Sequence, residues 1–189
     1  MNAESPGPPT EQADANIRKH LLARSVWLTV PGTYAAIALA YALTPAPSGL
    51  VSASERLIFG VRWLFVAFVP YAAVCLVILY ERFAEGAHNP LLHRESRRLQ
   101  IHCRVMQNTL EQLIWFALCA LALATYLSPE RMRLLPVLCV FFALARLVYW
   151  WGYLRGSTLC RAPGVQLTFT LNISLLVAVG ILLVRSLLQ

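Results

Sequence analysis

The stretch LLPVLCVFFALARLVYWWGY, Leu134–Tyr153, decides the fold. It carries a single charge, Arg146, and its apolar residues are continuous rather than alternating. A helix of that length rises about 30 Å, the thickness of a bilayer's hydrocarbon core. Barrel strands are shorter and alternate in polarity, so the stretch reads as a membrane-crossing helix. Working outward, four more apolar runs of similar length appear: Ser25–Leu43, Leu57–Tyr80, Gln107–Leu127 and Val165–Leu188. The third, Gln107–Leu127, extends toward Leu99 by a polar turn or two.

The connections hold breakers where spans should end. They are Thr44–Gly49 with two prolines, Ser128-Pro129-Glu130, and Arg161-Ala162-Pro163-Gly164, which is expected to separate the last two spans. The longest loop, roughly Glu81–Arg98, contains Asn89-Pro90. Pro31 and Pro70 fall inside spans, where kinks are tolerated. Met1 to about Asn16, with Pro6, Pro8 and Pro9, reads as a disordered tail, followed by the basic cluster Arg18, Lys19, His20 and Arg24. The expected organisation is a tail over 1–24, a first helix over 25–43 and a four-helix membrane domain over 57–188. Ala38-Leu39-Ala40 resembles a signal-peptidase site, but the preceding region is long and partly acidic, so the first span is expected to be retained.

Composition agrees. Of 189 residues, 58% are hydrophobic and 13% charged, against about 45–50% and 25% in soluble domains. The net charge of +7 lies in short loops and not in a basic arm or groove helix, so nucleic acid is excluded as a partner. Those loop cations set orientation. With the N-terminus in the cytoplasm, ten inside residues, among them Arg24, Arg82, Arg97, Arg104 and Arg161, face only Arg56, Arg131, Arg133 and Arg185 outside. The expected setting is a multi-pass protein of a bacterial inner membrane or an endoplasmic-reticulum type membrane. Five cysteines without a CxxC spacing point to no metal site and no disulfide framework; Cys103 and Cys160, near charged loops, are the two to watch. His88, His93 and His102 read as solvated loop residues, Trp63, Trp115, Trp150 and Trp151 as an interfacial belt, and Arg62 as snorkelling to the outer face.

Charged residues inside spans cost about 2.5–3.5 kcal/mol each and mark function. Arg104, Asn108 and Glu111 follow one another at spacings of four and three on the third helix. Arg146, Tyr149 and Tyr153 do so at three and four on the next. Each set shares a helical face. The two helices are antiparallel neighbours, and Glu111 and Arg146 lie at matched depths, each about 10 Å from its inner marker. A buried Glu111–Arg146 pair beneath a polar, cytoplasm-facing pocket is therefore expected.

These residues carry a resemblance. Arg104-Val-Met-Gln-Asn108-Thr-Leu-Glu111 resembles the R-x-x-x-N-x-x-E motif of the MAPEG family, the membrane-associated proteins of eicosanoid and glutathione metabolism. Arg146-Leu-Val-Tyr149-Trp-Trp-Gly152-Tyr153 resembles its second motif, R-x-x-Y-x-x-G-Y, and Arg161 follows in the next loop. The resemblance covers about Leu57–Leu188, with the segment Ser25–Leu43 as one extra N-terminal transmembrane helix. It implies a homotrimer of four-helix subunits with glutathione as co-substrate. Arg104, Asn108, Glu111, Tyr149 and Tyr153 would hold the tripeptide above Arg146. Arg161 would sit beside the sulfur as the catalytic residue, and Arg82 loosely resembles a further basic contact. The implied activity is a glutathione-dependent transferase or peroxidase acting on lipophilic electrophiles or lipid hydroperoxides, with membrane lipid as the surroundings. Two rivals stand beside it: a non-catalytic MAPEG-like protein that binds lipid or partner proteins, and a small transporter using the intramembrane Glu and Arg.

Overall fold

A computed structural model describes residues 9–86, 95–156 and 158–188. Expectations for the first eight residues, and for His88, Asn89-Pro90, His93 and Arg94, lie outside the described residues, as do those for the side chains of Arg18 and Lys19. The chain forms five helices: α1 Pro9–Leu43, α2 Ala53–Ala84, α3 Arg97–Tyr126, α4 Leu134–Leu154 and α5 Thr158–Leu187. A 3-10 turn, Pro129–Arg133, enters α4. Each of the five is long and apolar enough to cross a membrane, and no strand occurs among the described residues. The all-α, five-span architecture read from the hydropathy is the one the chain adopts.

Several boundaries differ from expectation. Residues 9–16 continue as helix into the first span, where an unstructured tail was expected. Glu81 and Arg82 belong to α2 and not to the following loop. Arg161-Ala162-Pro163-Gly164 does not separate the last two spans but lies in the first two turns of α5. The break falls earlier, at Gly156, whose φ of +72° reverses the chain after α4. Pro163 lies inside the helix, past its opening turn, where the missing N–H costs a backbone hydrogen bond that membrane helices tolerate.

Local chemistry sets the other ends. At α2, the Ser52 hydroxyl accepts from the Glu55 N–H at 3.2 Å, and the Glu55 carboxylate accepts from the Ser52 N–H at 2.8 Å. These reciprocal bonds satisfy donors that the first turn exposes. Ser96 caps α3 by accepting from the Leu99 N–H at 3.1 Å, and its own hydroxyl donates to Glu85 at 2.7 Å, joining the ends of α2 and α3.

Helices α2 to α5 pack around a core in which Phe116 and Phe142 stack with centroids 4.5 Å apart, with Ala67, Ala120, Leu138 and Leu171 about them. A polar clamp crosses this core. Asn172 of α5, fully buried, donates to the Gln112 side chain at 2.9 Å and to its carbonyl at 3.1 Å. In lipid a buried amide has no water to turn to, so this bond fixes the register of α3 on α5. Helix α1 lies outside the four, along α5. Gln166 donates to Ser25 at 2.8 Å, and Tyr34 and Ser174 share a 2.6 Å hydrogen bond.

Candidate functional site

The first turns of α3 and α5 meet the last turns of α4 at one end of the bundle. Two glycines make that meeting close. A Cβ built on Gly152 of α4 would lie 2.8 Å from the Arg161 Cα, and one built on Gly164 of α5 would lie 2.6 Å from the Tyr149 Cβ. Neither gap admits a side chain, so α4 and α5 touch backbone to backbone. That contact brings Arg161 over the ring of Tyr153, its guanidinium carbon 5.0 Å from the centroid. Tyr149 and Tyr153 meet edge to face at 5.6 Å.

Two cavities open here, with Arg161 lining both. The first, about 440 Å³, is lined by Arg97, Gln100, Ile101 and Arg104 of α3 together with Tyr153 and Arg161. Among its lining residues are three guanidinium groups, an amide and a phenol, with no carboxylate. The second, about 450 Å³, is mostly apolar: Leu22, Ala23 and Val26 of α1 face Tyr149, Ala162 and Val165 across it. A polar, cationic chamber thus adjoins an apolar one. Arg161 is common to both linings, with Tyr149 of the second sequence motif on the apolar side and Tyr153 on the polar side.

Arg146 lies behind these residues, 1% exposed. It does not pair with Glu111. Its Nε and Nη2 donate to the Thr109 hydroxyl at 3.2 and 2.9 Å, its Nη2 donates to the Asn108 carbonyl at 3.0 Å, and its guanidinium lies 4.1 Å from the Tyr149 ring centroid. Glu111 is exposed, and its carboxylate accepts from Gln107 on its own helix at 3.3 Å. The cause is angular. Helical residues advance about 100° each, so Thr109 and Glu111 point roughly 200° apart. The face of α3 turned to its neighbours runs through His102, Val105, Thr109, Gln112 and Phe116. Arg104 and Glu111 stand off it, and Asn108 sits at its border, half-buried. Position along the helix without azimuth does not make a pair.

Of the seven expected residues, Arg104, Tyr153 and Arg161 share the polar chamber, and Tyr149 lines the apolar one. Asn108 and Arg146 are joined behind them. Glu111 lines neither. Arg82 is engaged elsewhere, in a 2.9 Å ion pair with Glu95, with Cys103 4.0 Å away.

A neighbouring polar cluster is not legible from the motifs. His102 is 1% exposed and not a solvated loop histidine. Its Nδ1 accepts from the Trp150 indole N–H at 3.0 Å, which leaves Nε2 to carry the proton, 3.4 Å from Glu81. Glu81, itself nearly buried, pairs with Arg98 at 2.8 Å. The cluster ties the end of α2 to α3 and α4 beside the polar chamber. The sequence does carry one sign of it: His102 stands three residues before Val105 and seven before Thr109, on the buried face of α3.

Comparison with known proteins agrees with this arrangement. The MAPEG family model matches residues 61–181. Transmembrane protein 79 of Bos taurus is 32% identical over 139 residues, which is 72% of this chain and 34% of that protein. Its counterpart in Mus musculus is 31% identical over 140 residues, 73% of this chain and 35% of that protein. The chain therefore spans about a third of the length of these curated relatives. No solved structure matches. The family match covers α3 and α4 whole and begins within α2, so by its sequence, its helices and its relatives the chain belongs to the MAPEG family.

Proposed function

We propose that the chain binds glutathione in the polar chamber and presents its thiol to a lipophilic electrophile or lipid hydroperoxide in the apolar chamber beside it. The observation that carries this is the position of Arg161, which lines both chambers and lies over Tyr153. The residues fit most of such a ligand. Glutathione carries two carboxylates, and Arg97 and Arg104 offer planar forks for gripping them. Its thiol supplies the nucleophile once ionised, and a guanidinium at the chamber border favours the thiolate. Tyr153 holds that guanidinium in place beneath it. The apolar wall from α1 excludes water from the acceptor side.

One part of the fit is missing within a single chain. The ligand's ammonium needs an acid, and Glu111 stands outside the chamber. Arg104, Gln107 and Glu111 form an exposed polar stripe on a membrane-crossing helix. A carboxylate facing lipid is costly, so the stripe is best satisfied against another copy of the chain. This supports the homotrimer that the family resemblance implies, with the site completed between subunits.

The test is glutathione binding to the purified full chain, followed by calorimetry and by ultraviolet absorbance of the thiolate. Wild type should bind and show thiolate, and Arg161→Ala should bind but lose most of the thiolate signal. Absence of binding at millimolar glutathione sinks the proposal. Binding without thiolate favours the rival reading, a non-catalytic protein whose chambers hold lipid or partner groups.

A further inference from the structure

A further cavity lies at the opposite end of the bundle. It is about 610 Å³, within the range of small-molecule sites. Ala36 and Ala40 of α1, Phe59 and Trp63 of α2, and Val137 and Val140 of α4 form its apolar walls. The Thr44–Pro47 turn and Arg133 close its outer end. Ala36, Ala40 and the turn after α1 all precede residue 61, where the family match begins, so α1 and that turn complete the groove against helices the family shares.

Arg133 is the only charged residue in the lining. It is held in place on two sides: its Nη1 donates to the Thr44 carbonyl at 3.3 Å, and its guanidinium carbon sits 4.2 Å from the Tyr41 ring centroid. Its Nε is buried and has no hydrogen-bond partner. Among the described residues no carboxylate pairs with it. A guanidinium has five donors, and among the described residues one of them is used. An apolar groove in a membrane-crossing bundle, ending at an interface in a fixed and unpaired cation, is complementary to an amphiphile with an apolar chain and an anionic head.

We propose that this groove is a binding site for an anionic phospholipid, with one acyl chain along Ala36, Ala40, Trp63 and Val140 and the phosphate on Arg133. The lipid spans the seam between α1 and the α2–α4 pair and completes the attachment of the extra helix. The site is independent of the glutathione chamber, which lies at the other end of the bundle.

The full chain is purified in detergent, delipidated and titrated with phosphatidylglycerol or phosphatidylcholine of matched chains, and bound lipid is counted by native mass spectrometry. Wild type should retain phosphatidylglycerol in preference. Arg133→Gln should weaken that retention about tenfold, about 1.4 kcal/mol, and abolish the preference, while Arg133→Lys keeps part of it. Val140→Trp, which fills the groove and leaves the Arg133–Thr44 bond alone, should lose both lipids. It decides the matter if Arg133→Gln fails to fold. Equal retention of the two lipids by wild type, or retention unchanged by Val140→Trp, overturns the proposal. So does a disulfide cross-link between copies formed through Val140→Cys, which would show a second chain seated on the groove.

Discussion

Thr109→Val tests the buried arginine most directly. Valine matches threonine in shape, so the change removes a hydroxyl and little else. That hydroxyl accepts two of the three hydrogen bonds that hold Arg146, at 2.9 and 3.2 Å, and leaves only Asn108. Hydrogen bonds to charged groups contribute about 1.5–3 kcal/mol, whereas interhelical bonds within membranes average nearer 0.6 kcal/mol, with a maximum of about 1.7. The two bonds share one acceptor, so they do not count twice. A loss of about 2 kcal/mol is expected, which is roughly a thirtyfold shift in the unfolding equilibrium. The assay is reversible unfolding in mixed micelles followed by helical circular dichroism. Glu111→Gln serves as the contrast. Breaking a buried ion pair would cost about 3–5 kcal/mol. Glu111 instead stands on the outer face of α3, so its neutralisation should change monomer stability by less than about 0.5 kcal/mol. The double variant Thr109→Val, Arg146→Met should recover part of the loss, because no charge is then left unsatisfied. A Thr109→Val protein as stable as wild type, or a Glu111→Gln protein that loses several kcal/mol, would refute the assignment of partners.

The remaining expectations follow from the same geometry. Gly164→Ala places a methyl against the Tyr149 backbone; overpacking of this kind costs about 1–3 kcal/mol, and the displaced Arg161 should lower the thiolate absorbance of bound glutathione. Asn172→Leu breaks the clamp on Gln112 and should cost about 1 kcal/mol in the micelle unfolding assay, with glutathione binding unchanged.

Much of this protein is legible in its sequence. Runs such as Leu134–Tyr153 declare five spans because a bilayer demands about 20 apolar residues from any helix that crosses it. The spacings among Arg104, Asn108, Arg146, Tyr149 and Tyr153 placed these polar side chains at one end of α3 and α4, where the structure also has them. The misses share one origin. Pro163 and Gly164 read as a loop, since both break helices in general. Both instead lie inside α5, where a membrane helix tolerates the Pro and where Gly lets α4 approach, a property of two helices at once. His102 reads as solvated beside basic residues, yet Glu81, twenty-one positions earlier, and Trp150, forty-eight later, enclose it.

The sequence alone determined span number and helical class, because hydrophobicity and a fixed rise per residue act along one dimension. Only the tertiary structure decided which polar residues face each other. Rotation of each helix about its axis is set by how side chains such as Phe116, Phe142, Gly152 and Gly164 interlock, and a small rotation exchanges one partner for the next. Arg146 is accordingly bonded to Thr109 and Asn108 in place of Glu111.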